Sequence, residues 1–351
     1  MRTKNLAFIL PVLFLLSACK PAVPSVSLTA TPTLPMPTNM PSPTHTPQPQ
    51  FTSSPLPALT GSGGGVLVYT SLESNDWQIY LVNADSSGQR KVTIGVRGGY
   101  EPNWSPDGAK IVFQYGGLWI ADIVSGEISR LPLSVESNNL PNEYLVKPAW
   151  SPNGEWIAFL NEGGTQGDIY LIRSDGTGLK RLTDSNTISR DGNLVWSPDG
   201  KQLAYSADGD KGIEVYVLEF EDALQGAATS RQLTVSPTYT RNLVTSWSSD
   251  GSRLAFSSDR DGNPEIYLMN VDGSNVVRLT DDPASDTQPA WSPDGKQIAF
   301  TSDRNGNSEI YVMDVEEALQ NVGSANVRHA NVRRLTDHPG DDMGPVWKPE
   351  Q

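Results

Sequence analysis

The chain has 351 residues, 40 of them acidic against 26 basic, a formal net charge of −14 and a single cysteine. Every acidic residue lies beyond residue 60, and a surface of that sign repels nucleic acid and anionic lipid heads, so neither is an expected partner. One cysteine allows no internal disulfide, so stability has to come from packing.

The chain opens "MRTKNLAFILPVLFLLSACK", with Arg2 and Lys4 ahead of an apolar run over 6–16. That run is shorter than the roughly 20 residues a bilayer span needs, and it predicts a signal-peptide core. It ends in "LSAC", small residues directly before Cys19, which resembles the lipobox of bacterial lipoproteins. The resemblance implies a signal peptide over 1–18, cleavage before Cys19, and acyl chains on its sulfur and amino group. Each buried methylene is worth about 0.8 kcal/mol, so two or more chains hold firmly. The expected location is extracytoplasmic, on the outer face of the cytoplasmic membrane or, in a Gram-negative cell, on the outer membrane. Lys20 is not the aspartate that retains some lipoproteins at the inner membrane.

Residues 19–60 carry Cys19 and then proline, threonine and serine, as in "TATPTLPMPTNMPSPTHTPQPQ". Such a segment cannot bury enough apolar surface to fold, so a disordered tether is predicted. A length of 40 residues reaches roughly 120 Å as polyproline and about 35 Å as a coil.

Residues 61–351 repeat. Trp104, Trp150, Trp196, Trp247, Trp291 and Trp347 stand 44 to 56 residues apart, five of them in "WSPDG", "WSPNG" or "WSSDG". Each of these five is followed by an alternating run ("KIVFQ", "WIAFL", "QLAYS", "RLAFS", "QIAFT"), then a second ("LWIAD", "DIYLI", "EVYVL", "EIYLM", "EIYVM") and a short third. Period-two alternation of β-branched and aromatic residues predicts strands. Four short strands in about 45 residues predict a propeller blade. Three strands precede Trp104 without a tryptophan strand, and Trp347 lies on a strand with nothing after it. Joined, they make a sixth blade, so the prediction is an all-β, six-bladed ring of four-stranded antiparallel blades closed between the chain ends. A monomer is expected.

"SPDG" suits a type I turn: serine suits the first position, proline presets φ at the second, aspartate suits the third, and glycine takes the positive φ that follows. Asn153 and Ser249 substitute within the motif while the flanking strands keep their pattern, which argues for geometry and against shared chemistry. The tryptophans are expected to wedge between blades.

The repeat "PAWSPDGKQIAFTSDRNGNSEIYVMD" resembles the TolB-type, WD-like propeller repeat of bacterial envelope proteins, over nearly all of 66–347. The same repeat type builds the propellers of prolyl-oligopeptidase-like and tricorn-like peptidases. TolB itself carries an α/β domain ahead of its propeller, where this sequence has an anchor and a tether. The resemblance implies an envelope protein or peptide as partner, bound or scaffolded by the module. The alternative is a propeller enzyme or carbohydrate-binding protein with its site in the central channel.

No catalytic constellation stands out: there is no "GxSxG" elbow, and only His329 and His338 lie in the repeats. No cofactor is expected, and no metal beyond a weakly held surface calcium at "DRDGN" or "DRNGN". Counted from Asp259, the sixth residue is Pro264 and the twelfth Asn270, against the glycine and glutamate of an EF-hand.

Binding is expected at the channel mouth, on loops that differ among repeats and lie opposite the "WSPDG" turns. Counting back from each tryptophan, the candidates are Glu101, Lys147, Asp191, Asn193, Asn242 and Asp286. Gln288, Asp341 and Asp342 join them, with Arg190, Arg241, Tyr100, Tyr144 and Tyr239 on the rim.

Overall fold

The computed structural model describes residues 51–52, 65–133, 145–162, 166–184, 187–189, 191–226, 229–320, 322 and 332–350. Cys19 and residues 1–50, on which the signal-peptide and lipidation expectations fall, lie outside the described residues. So do Tyr144, Arg190 and His329. Among the described residues no helix is long and apolar enough to cross a membrane.

Strand β1 (Phe51–Thr52) comes first, followed by β2 (Val66–Glu73), β3 (Asp76–Asn83) and β4 (Arg90–Lys91). Next come β5 (Tyr100–Trp104), β6 (Lys110–Gln114), β7 (Leu118–Asp122) and β8 (Glu127–Arg130). The third group is β9 (Leu145–Trp150), β10 (Trp156–Glu162), β11 (Gln166–Arg173) and β12 (Lys180–Arg181). A bridge, β13 (Ile188–Ser189), precedes β14 (Val195–Trp196), β15 (Gln202–Gly209), β16 (Gly212–Glu219), the short helix α1 (Phe220–Leu224) and β17 (Ser230–Gln232). Then come β18 (Thr240–Trp247), β19 (Arg253–Ser258), β20 (Glu265–Asn270) and β21 (Val277–Arg278). The last full group is β22 (Asp286–Trp291), β23 (Gln297–Ser302), β24 (Glu309–Asp314), α2 (Val315–Gln320) and β25 (Arg333–Arg334), leaving β26 (Asp342–Trp347).

Antiparallel pairing within each group makes a four-stranded unit, and β26 pairs with β2 to complete the unit that β3 and β4 extend. The register there is Leu67 opposite Trp347 and Ser71 opposite Asp342. β1 adds to the outer edge of β8.

The apolar core lies between units. Leu160, Ile169 and Leu171 pack with Trp196 and Leu203, and Ala255, Ile266 and Leu268 with Trp291 and Phe300. The series runs on through the chain ends: Ala290, Ala299 and Ile310 pack with Trp347, Leu67 and Tyr69, and Val68, Ile79 and Leu81 with Trp104 and Phe113. In each interface the tryptophan comes from the later unit and is at most 9% exposed.

The indole N–H groups bridge the same interfaces. Trp104, Trp196, Trp247 and Trp347 donate to the carbonyls of Val346, Ala149, Val195 and Ala290, at 3.2, 3.1, 3.0 and 3.0 Å. Each acceptor directly precedes the tryptophan of the neighbouring unit. Two interfaces depart from this, and in both that preceding residue is polar. Asn103 Oδ1 accepts from the backbone N–H of Trp150, and Ser246 Oγ from that of Trp291. The Trp150 indole then turns to Gly154 O, and Trp291 Nε1 has no partner among the described residues.

The "WSPDG" turn is held by its own side chains. Ser105 Oγ donates to Asp107 Oδ1 at 2.5 Å and accepts from the Lys110 N–H at 2.8 Å, while Asp107 Oδ1 accepts from Ala109 N. Serines 151, 197, 248 and 292 repeat the arrangement with Asn153, Asp199, Asp250 and Asp294. Gly108 sits at φ 62°, where a Cβ is disfavoured. Bonds from serine and backbone hold the Asp107 carboxyl below its usual range.

Candidate functional site

The first strands of all six units line one cavity of about 1030 Å³. Its wall is set by a repeated irregularity three residues before the tryptophan. Glu101, Lys147 and Gln288 have φ of 54°, 55° and 54°, and Gly344 occupies the same position at 64°. In each case the next residue is a proline: Pro102, Pro148, Pro289 and Pro345. Proline lacks the N–H that would continue the ladder, so the strand bulges there, as the register shifts at β5, β9, β22 and β26 record. Left-handed non-glycine residues are uncommon and cost of order 1 kcal/mol or more, and such strain gathers at functional sites.

Glu101 and Lys147 face one another across two units. Lys147 Nζ lies 2.8 Å from Glu101 Oε1, and the Lys147 backbone N–H donates to Oε2 at 2.7 Å. The Lys147 side chain is 10% exposed, so the pair neutralises itself inside the cavity wall. Gln288 Oε1 accepts from Gly344 N and Thr301 Oγ1 at 3.0 and 2.9 Å. Asn193 lines the same wall, its N–H donating to Val244 O. Beside Glu101, Trp77 and Tyr100 form a tilted aromatic pair with ring centroids 6.3 Å apart.

The other candidates are placed differently. Asn242, Asp286 and Asp342, each five residues before a tryptophan, are fully buried. Strand alternation would set them on the face of Gln288, but the bulge between turns them inward. Asp286 holds Arg304 through both oxygens at 2.9 and 2.8 Å. Asn242 bonds Glu214, Ser258 and Arg260. Burial pushes the Asp286 carboxyl up, and Arg304 pulls it back. Asp191 is paired with Arg241 at the surface, and Asp341 Oδ1 accepts from Ser308 N. Tyr239 is 77% exposed and Tyr100 36%.

The acidic hairpins are turned onto their neighbours. Asp259 Oδ1 accepts from Arg241 N, Asp261 from the Tyr267 hydroxyl, and Asp303 from Ser285 N. Asn263 and Asn307 donate to the carbonyls of the following loops. His338 Nδ1 accepts from Gly340 N. Counting back along alternating strands overlooked Trp77, Asn103, Gln114, Thr245 and Met343, which also line the cavity. Pro106, Pro152, Pro198 and Pro293 of the turn motif line it too, as does Pro349 after Trp347, so the turns assigned to the far face surround the same space.

Residues 223–325 match the family model of the TolB beta propeller domain. The chain carries a TolB-like β-propeller. It is 30% identical over 213 residues to a protein TolB homolog of Chlorobium luteolum, covering 59% of this chain and 35% of that one. It is 31% identical over 112 residues to an uncharacterized protein of Agrobacterium fabrum, over 30% and 36% of the two chains. The chain thus spans about a third of the length of these curated relatives. Crystalline TolB from Acinetobacter baumannii superposes at a TM-score of 0.65 with 18% identity, over 82% of this chain and 67% of that one. A putative TolB from Agrobacterium tumefaciens gives 0.60 and 23%, over 80% and 92%. A chain of a nidogen/laminin complex also reaches 0.60 at 12% identity, over 82% and 100%, and likeness at these identities speaks for the fold alone.

Proposed function

We propose that this TolB-like propeller is a lipid-anchored, extracytoplasmic binding or scaffolding module of the cell envelope. Its six units form a closed six-bladed ring whose central channel takes a protein or peptide segment. The observation that carries this reading is the channel wall: the backbone is strained at Glu101, Lys147 and Gln288, and all three line the cavity. A neutralised ion pair, amides and the Trp77–Tyr100 pair suit an uncharged or mixed peptide surface. The same aromatic pair is what favours the second reading, a carbohydrate in the channel.

The test is to delete the wall without unfolding the ring. Glycine relieves the strain at these positions, and Gly344 shows the backbone accepting it. The expected outcome for Glu101→Gly, Lys147→Gly, Gln288→Gly is an unchanged Tm and loss of the envelope proteins crosslinked by the wild-type protein. Equal capture by both forms would remove the channel from the proposal. Glycan-array binding that is lost in the triple variant would move it to the carbohydrate reading. Cys19→Ser, with either form, should shift the protein from the membrane to the soluble fraction.

A further inference from the structure

Two units lock the start of their first strand with an arginine from the hairpin after the second. Arg304 Nη2 bonds Asp286, its Nε donates to Ser302 Oγ at 2.9 Å, and its guanidinium lies 5.5 and 4.8 Å from the ring centroids of Phe300 and Tyr311. Arg260 does the same with Asn242 and Ser258, over Phe256 and Tyr267. The unit that joins the chain ends has the same surroundings: Asp342, Ser71 opposite it, and the rings of Tyr69 and Tyr80 at 6.0 Å. There the arginine position is Glu73, whose carboxylate turns to the Tyr80 hydroxyl and Lys91 Nζ at 3.0 and 2.9 Å. Among the described residues, no hydrogen bond of normal geometry reaches either oxygen of Asp342 or Ser71 Oγ, although the Ser71 and Thr336 hydroxyls face the carboxyl, and Asp342 and Ser71 are both fully buried.

We propose that Asp342 is a pH-operated catch on the pairing of β26 with β2, holding the last strand when its carboxyl is protonated and loosening it when ionised. A neutral acid can share its proton with Ser71 Oγ across the ladder, whereas a buried carboxylate without a cation is costly. Met343 and Gly344 on the same strand line the channel, so the catch regulates the proposed binding site, and its bearing on binding rests on that reading.

The charged surroundings do not replace the missing cation. Glu309 on β24 faces Asp342 and raises its pKa further, although it holds Arg334 at 2.7 Å. Tyr69 and Tyr80 face it from β2 and β3, and both are themselves pushed up. On the β22 side Asp286 and Arg304 are closed on each other, and on β5 Glu101 is closed on Lys147. The Ser71 hydroxyl first, then Thr336 and His338, favour the carboxylate, and none of them is a guanidinium closed on it. Burial first, then Glu309, brings the Asp342 carboxyl up to about 6. A folded value above the unfolded one means that the stabilisation is complete below the unfolded pKa and is lost as pH rises through about 6.

Amide hydrogen exchange on the full chain, corrected for intrinsic rates, reads the catch without any ligand, so its failure is separable from failure of the channel reading. In wild type, protection of the β2 and β26 amides should fall about tenfold between pH 4.5 and 7.5, with β18 and β19 unchanged. Asp342→Asn should hold the high protection at both pH values. If that variant does not fold, Glu73→Arg supplies the guanidinium and should likewise remove the fall. His338→Gln should retain it. A flat wild-type profile, a fall that survives in Asp342→Asn or Glu73→Arg, or one abolished by His338→Gln would overturn the proposal.

Discussion

Arg334 holds two acids of opposite exposure: Glu309, fully buried, at 2.7 Å, and Asp337, with its side chain 87% exposed, at 2.6 Å. Glu309 also accepts from Thr336 Oγ1 at 2.6 Å and from His338 N at 2.9 Å, tying β24 to the loop that leads into β26. Its repeat partner Glu265 makes the same bonds to Arg278, Thr280 and Asp282 N. Removing Glu309 strands the Thr336 hydroxyl and the His338 N–H in a buried site, at about 1–3 kcal/mol for each donor left without an acceptor, whereas an exposed pair contributes about 0–1. Urea unfolding should therefore show Glu309→Ala destabilised by about 3 kcal/mol or more and Asp337→Ala by under about 1. Similar losses would mean that the bond network, and not its burial, sets the energy.

At the scale of the strand, the tryptophan wedge combines area with one hydrogen bond, and the interfaces differ in the second. Trp196 packs edge-on against Phe220 at 4.7 Å and donates to Ala149 O, while Trp291 Nε1 has no such partner. Trp196→Ala should cost about 3–5 kcal/mol. Trp→Phe isolates the bond and should cost about 1 kcal/mol more at 196 than at 291, read from denaturant midpoints at constant slope. The wedge and its turn were legible in the sequence, because spacing and alternation repeat and each "SPDG" residue has a backbone reason for its place. The cavity wall was only partly legible. Glu101, Lys147 and Gln288 were named, but extending the period-two count past the bulge carried Asn242, Asp286 and Asp342 to the wrong face. The proline two residues before four of the tryptophans was the available signal for Asp286 and Asp342, whereas β18 bulges between Val244 and Ser246 with Thr245 in that place. The missing guanidinium at Glu73 emerges only when aligned hairpins are joined to the contacts of their arginines, since Glu73 is unremarkable in sequence.

For the whole molecule, the decisive join is between β26 and β2, because both neighbouring interfaces draw on the last strand. Trp347 sits in the interface with β22–β24 and donates to Ala290 O, and Val346 O receives the Trp104 indole from the other side. Without β26, the edge of β2 is left unpaired, and an unpaired edge invites association. The domain has no disulfide to hold its ends, so these contacts have to do so. Ending the chain at residue 341 should replace a single calorimetric transition with a broad, lower one and produce oligomers on gel filtration. A peptide of residues 339–351 added in trans should restore part of the lost midpoint, because it supplies both Trp347 and the acceptor for Trp104. If the shortened chain instead melts in one transition at the wild-type midpoint, stability resides within the individual units and the join does not bear it.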